Sequence, residues 1–464
     1  MEVIGMDDVY KSLAEIVGEE YLSNKKEELY IYSQDPGMME PHEPDYVVMP
    51  KTTEEVQKIV KLANEEKIPL VPVGGSMSLS GLVIPHRGGI ALDLKRMDRV
   101  LEVNEKSRHV VVEAGMTQGK LKAYLEKRHP DLRHSIPDSP PSSTIVGNIV
   151  IHGQGRLTQQ YGFNSDMVTG LEVVLPTGEV CKIGTCSVSP YWFALAPLPD
   201  LAGLFLGWFG TTGVITKLGL KLYPKKKKRD AEVFVVEDPN LVPDIIYRLT
   251  HTEMTEDIVV GAQPYPPIFK DILSIIILIT GDSEEEVEFK RRMIWDALRT
   301  YIDSKEGGFS MMTPDMKQLL LKMPSDDTAR FADVMKGGGF EYCGPIIPVE
   351  KFPEAYNKLL ELSSKYGITF GHSGRVIGRS HCMMFSFGYP FNRADPDNIE
   401  RTKKALHDTN VASLDIGAVP WKPEVPAQKM IMERMDKNTL ELMKRIKKLL
   451  DPNGIMNPGN WEAE

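Results

Sequence analysis

The chain has 464 residues, 42% of them hydrophobic and 26% charged, ordinary for a soluble globular protein but more than one hydrophobic core usually supports, so two or three domains are expected. A formal net charge of -10 argues against nucleic acid as a partner. The four cysteines, Cys181, Cys186, Cys343 and Cys382, form neither a CxxC pair nor a disulfide ladder, which predicts a reduced, cytoplasmic setting and excludes an iron–sulfur centre of the usual type.

The N-terminal stretch Met1 to Asp8 is acidic where a signal peptide is basic, and no stretch reaches ~18 uninterrupted apolar residues, so no transmembrane segment is expected. Thr52 and Glu55 form a capping box ahead of Val56, Ile59, Val60 and Ala63, whose spacing predicts a helix. The apolar run Ile68 to Val71 then leads into Pro72-Val73-Gly74-Gly75-Ser76-Met77-Ser78-Leu79-Ser80-Gly81, and a second strand follows over Ile90 to Leu94. Small residues where a strand ends leave backbone N–H groups uncovered, as a pyrophosphate requires. The spacing is neither the three-glycine dinucleotide fingerprint nor a P-loop, and on its own a Gly/Ser-rich surface turn reads the same way.

That helix, the strand after it and the first loop give a βαβ-like start, and a strand over Arg108 to Val112 and a helix over Gln118 to Leu125 repeat the strand-then-helix alternation. A second small-residue loop runs from Pro137 through Asp138, Thr144, Gly147 and Asn148 to His152-Gly153-Gln154-Gly155. A strand and turn over Val168 to Glu179 come next, and then Phe209-Gly210-Thr211-Thr212-Gly213-Val214-Ile215-Thr216. The intervening Tyr191 to Phe209 is broken by Pro197, Pro199 and Asp200 and reads as a buried or partner-facing segment. Lys225 to Arg229 reads as a solvated linker. Beyond it lie two similar strand–helix–strand–strand–helix units, beginning at Ala231 and Phe340, which predict an antiparallel sheet with helices on one face. An amphipathic helix over Asn438 to Leu450 precedes Leu450-Asp451-Pro452-Asn453-Gly454-Ile455-Met456-Asn457-Pro458-Gly459-Asn460.

The three small-residue segments and this last motif, in this order, resemble the vanillyl-alcohol oxidase / para-cresol methylhydroxylase superfamily over essentially the whole chain. The resemblance implies an α+β fold: a two-lobed FAD-binding domain over 1–228, an antiparallel substrate (cap) domain over 229–410, and a segment over 411–464 returning to the first domain. It implies that Val73, Gly74, Gly75, Ser76, Met77, Ser78 and Gly81 wrap the FAD diphosphate. Pro137, Thr144, Gly147, Asn148, Gly153, Val214 and Ile215 would contact the rest of the cofactor, with Asp138 near the flavin and Asn457 in the closing motif. The family's flavin-linking histidine falls at Phe340, so non-covalent FAD is expected.

On the substrate side, two branches are weighed. In the 2-hydroxy-acid branch, a histidine-rich segment and a later acidic-histidine motif supply a metal ligand and a base. Here the first reads Gly371-His372 to Ser380-His381, and the second has Asp415 followed by Ile416 where that branch has its histidine. A divalent metal, Zn or Fe, held by His372, His381 and Asp415 would polarise an alkoxide. Arg375 and Arg379 would bind a carboxylate, and Tyr342 and Lys422 are further catalytic candidates. The aryl-alcohol branch fits Pro199 to Phe205 and Phe385 to Asp395 better, but its Tyr-Arg pair is replaced around Val419 to Trp421. The expectation is an FAD-dependent dehydrogenase of a small hydroxy compound, most favourably a 2-hydroxy acid such as D-lactate or glycolate. The alternatives are an aryl-alcohol enzyme and an electron-relay subunit. Electrons would leave to a protein or quinone acceptor, and a homo-oligomer or redox-complex subunit is allowed.

Overall fold

A computed structural model describes residues 6–262, 272–322, 337–368 and 372–462. The expected helix forms over Thr53–Glu66, with the Thr52 hydroxyl accepting from Glu55 N–H at 3.2 Å. The Glu55 carboxylate reaches back one residue further than a capping box requires, to Lys51 N–H at 2.7 Å. Val56, Ile59, Val60 and Ala63 are fully buried. This helix connects Tyr46–Val48 to Leu70–Val73 in a four-stranded sheet of order Leu22–Ser23, Tyr46–Val48, Ile90–Asp93, Leu70–Val73, the last three parallel. A five-stranded antiparallel sheet forms the second lobe, in the order Val100–Asn104, His109–Glu113, Val214–Lys221, Val168–Val174, Val180–Gly184. One hydrophobic core serves both lobes, from Val9 to Leu222, and Ile455 and Met456 join it.

The second core gathers residues from Phe234 to Ala418, with Met38, beneath an antiparallel sheet of nine strands among the described residues. Its middle runs Lys228–Val236, Leu273–Gly281, Asp257–Ala262, His372–Ile377, Cys382–Phe385, Gly338–Ile347. The two strand–helix–strand–strand–helix units thus meet back to back. Strand alternation sorts the side chains: Ile258, Val260, Ile275, Ile277 and Val376 pack beneath the helices Val242–His251, Glu284–Ala297, Phe352–Tyr366 and Pro396–Asp415. Asp257 and Arg375 therefore point out of the opposite face. The helix Pro396–Asp415 and the strand Val419–Trp421 belong to this unit, the latter pairing with Gly344 to Ile346, so the chain leaves it after Trp421 rather than from Val411. The final segment lies beside Leu70, with Leu70 N–H on the Ile455 carbonyl and Asn457 N–H on the Leu70 carbonyl, each at 2.8 Å.

Candidate cofactor and substrate site

The first loop leaves the end of Leu70–Val73 and packs on the second. A Cβ on Gly74 would sit 2.6 Å from Thr144 Oγ1, and one on Gly75 would sit 3.0 Å from both the Ser142 carbonyl and Ser143 Cα. Thr144 caps the short helix Ile145–Val150 by accepting from Gly147 N–H at 3.2 Å. Asn148 and Gly153 are as close as backbone and amide allow, since a Cβ on Gly153 would overlap the Asn148 amide. Pro137 pairs with Gly155. The third segment approaches through Gly210, whose Cβ would lie 3.3 Å from Pro72. Asn457 ties it to the first, its amide donating to the Phe209 carbonyl at 2.6 Å and the Leu82 carbonyl at 2.9 Å. Val214 and Ile215, by contrast, bury their side chains in the first core.

The first loop is conformationally unusual, with Ser76, Leu79 and Gly81 at φ of 52°, 68° and 66°. Asp35, in the turn Asp35-Pro36-Gly37, braces it from behind. Its carboxylate accepts from Gly81 N–H at 2.8 Å, Gly37 N–H at 2.9 Å and the Ser78 hydroxyl at 3.3 Å. The second unit reaches the same place. Lys422 Nζ donates to the Ser78 carbonyl, Glu341 accepts from Met38 N–H at 3.2 Å, and Arg393 donates to the Gly37 carbonyl at 2.9 Å. Burial pushes the Lys422 ammonium down to about 8, against the pull of Glu341 and Asp35.

Arg375 links the second loop to the large sheet. Its guanidinium is 3% exposed and holds Asp257 through Nε and Nη2, both at 3.1 Å, and Asp138 through Nη1 at 2.7 Å. Burial alone would lower it, but the Asp138 and Asp257 carboxylates override that and raise it. Arg156 adds a longer contact to Asp257 at 3.4 Å. Arg379 instead lies at the surface, paired with Glu253 at 2.6 Å. Its turn is fastened to the first unit by Gly378 N–H on the Thr158 carbonyl at 3.0 Å and Arg379 N–H on the Gln159 carbonyl at 2.7 Å.

The expected metal set does not assemble. His381 is exposed on that turn, while Asp415 ends a helix in the opposite layer and pairs with Arg434 at 2.8 Å. Among the described residues no group of three His, Cys, Asp or Glu side chains is placed to hold an ion. His372 heads its strand and Tyr342 lies within Gly338–Ile347; their side chains are outside the described residues.

Matches to known families fall on the segments that build this site. Residues 44–184 match the FAD binding domain family and residues 426–461 the C-terminal domain of FAD linked oxidases. The chain is 31% identical to the mitochondrial D-lactate dehydrogenase [cytochrome] of Arabidopsis thaliana, over 90% of this chain and 73% of that one. It is 26% identical to the glycolate oxidase subunit GlcD of Bacillus subtilis, over 98% and 97%. The fold is that of p-cresol methylhydroxylase, with a TM-score of 0.86 at 21% identity, covering 98% of this chain and 96% of that one. The chain belongs to the FAD-linked oxidases and dehydrogenases of the vanillyl-alcohol oxidase / para-cresol methylhydroxylase superfamily, and it is an FAD-dependent oxidoreductase.

The residues present fit that cofactor. No acceptor among the described residues takes the backbone N–H groups of Gly75, Ser76, Met77 or Ser78, leaving the run of donors that a diphosphate needs. Among the described residues, both amide atoms of buried Gln154 and the hydroxyl of buried Thr212, in the second and third segments, also find no partner, as polar groups awaiting a ligand do. The sequence reading passed over Gln154, Asp35, Asp257 and Glu341. Gln154 lies within the second small-residue loop, and Asp35 carried a local signal in its Asp-Pro-Gly turn.

Proposed function

We propose that this protein is a dehydrogenase for a small 2-hydroxy acid such as D-lactate or glycolate, passing electrons to a protein or quinone acceptor rather than to oxygen. The observation that carries the reading is the likeness to a D-lactate dehydrogenase across both units, 90% of the chain. FAD supplies the hydride acceptor; Phe340, at the family's linking position, leaves it non-covalently held. Hydride loss from a carbinol requires that the hydroxyl proton also leave, so the site needs a proton acceptor. In this reading His381, on the turn fastened to Thr158 and Gln159, takes that role. The substrate carboxylate displaces half-exposed Asp138 from the Nη1 edge of Arg375 while Asp257 keeps the other edge. A second reading, an aryl or benzylic alcohol, is favoured by the same residue, because two carboxylates, Asp257 and Asp138, already more than offset the Arg375 charge.

An anaerobic screen of flavin bleaching with D-lactate, glycolate, 2-hydroxyglutarate and 4-hydroxybenzyl alcohol tests this. Bleaching by a hydroxy acid is expected, slowed ~10²-fold or more in His381→Ala. Bleaching by the benzylic alcohol alone installs the second reading, and bleaching by none leaves an electron relay.

A further inference from the structure

The loop Pro72 to Gly81 that faces the FAD diphosphate contains no lysine, arginine or histidine. A cation nevertheless reaches it, from the end of the second unit, where Lys422 follows the strand Val419–Trp421 in a left-handed conformation with φ of 46°. Its side chain is 6% exposed and its ammonium donates to the Ser78 carbonyl. The Trp421 ring lies 5.3 Å away. The charged groups that face it are Asp35, in the turn after Lys26–Tyr32, and Glu341, on the strand Gly338–Ile347. Arg393 stands one step off, on the carbonyls of the same turn.

We infer that Lys422 is a positioning residue for the cofactor. Through the Ser78 carbonyl it holds the diphosphate loop in its binding shape, and its positive charge favours the FAD dianion, so that the substrate unit controls FAD affinity in the neighbouring one. The geometry makes the contact one of a charged donor with backbone, stronger than a neutral hydrogen bond. Asp35 and Glu341 both act on this ammonium through their charge, so loss of its proton removes the positive charge facing them behind a loop that must accept two further negative charges. Linkage is reciprocal: bound diphosphate raises the proton affinity of Lys422, and a protonated Lys422 raises the affinity for FAD. Because burial has lowered Lys422 to about 8, this grip is full at pH 7 and lost as pH climbs past that value. The same lowered value makes the unliganded fold gain stability from this group between about 8 and the unfolded lysine value of about 10.4, where the unfolded chain binds the extra proton. Cofactor affinity and apoprotein stability therefore respond to alkali with opposite signs.

The test is titration of FAD into apoprotein, followed by flavin fluorescence, at pH 7 and pH 9.5 for wild type, Lys422→Met and Lys422→Arg, with the melting temperature of each. Wild-type Kd rises about tenfold between the two pH values, Lys422→Met is weaker by about tenfold at pH 7 and nearly flat with pH, and Lys422→Arg restores a tight, pH-independent Kd. A wild-type Kd that is constant between pH 7 and pH 9.5 overturns the inference, and this arm needs no variant to fold. So does a Lys422→Met protein with wild-type Kd and pH profile, or a Lys422→Arg protein as weak as Lys422→Met. Failure of wild type to bind FAD at pH 7 overturns the cofactor assignment as well, which separates the two failures.

Discussion

Gly75 is a residue at which the first loop meets the backbone of the second, and the consequence is steric. Any Cβ there meets the backbone of Ser142 and Ser143, which cannot rotate away as a side chain end would. We expect Gly75→Val to part the loops and reduce FAD binding by more than tenfold, with a smaller effect on the fold of the second unit. A fully flavinated Gly75→Val protein, read from the 450 nm region of its absorption spectrum, would refute the placement of the diphosphate. The loop itself was legible, because a run of small residues at a strand end is a local pattern. Asp35 was not singled out, and Lys422 was singled out only as a catalytic candidate. Each acts on that loop from a distant part of the chain, and nothing in the residues flanking Lys422 reveals that Ser78 lies beside it. The metal trio failed for the matching reason, since His381 and Asp415 are ordered correctly along the sequence but belong to different layers.

At the scale of elements, the helices and paired units were readable from periodicity, and the strand–helix–strand–strand–helix repeat closes into a single sheet as its alternation requires. In the second unit the stretch 382–392 is divided into two strands at Ser386. Its hydroxyl accepts from Ser373 N–H at 2.9 Å; Cys382–Phe385 pairs with both His372–Ile377 and Gly338–Ile347, and Phe387–Asn392 continues along Gly338–Ile347. What periodicity does not report is which charged residues are buried on the sheet's other face. Arg375 and Asp257 are such a pair, and they fasten that face to the Asp138 loop. Removing one member of a buried pair leaves the other uncompensated. Arg375→Met is expected to destabilise the protein by ~3 to 5 kcal/mol in denaturant unfolding, whereas Asp138→Asn, at the half-exposed end, should cost far less. Equal losses from both would show that the Asp257 contact is not the anchor.

For the molecule as a whole, the segment after the second unit completes the first. Asp451 is fully buried and accepts from the N–H groups of Ile455 and Met456, at 3.0 and 2.9 Å, and from Lys447 Nζ at 2.6 Å. Lys447 also donates to the Thr211 carbonyl in the third cofactor segment. Asp451→Ala therefore frees two backbone donors and an ammonium together, and we expect a loss of ~3 kcal/mol or more in stability, accompanied by faster FAD release. Unchanged release with reduced stability would separate this brace from the cofactor site.

The strand-like contact between Leu70 and Met456 also fixes an order of events during synthesis. The sheet edge that launches the diphosphate loop waits for Met456, 386 positions after Leu70, made after the second unit. The first unit cannot mature on its own schedule, so flavin capture is a late step, and a nascent chain stalled anywhere in the second unit carries an unfinished cofactor site. Any lesion that slows folding of the second unit will therefore appear in cells as poor flavin loading, even where it touches no residue near the cofactor.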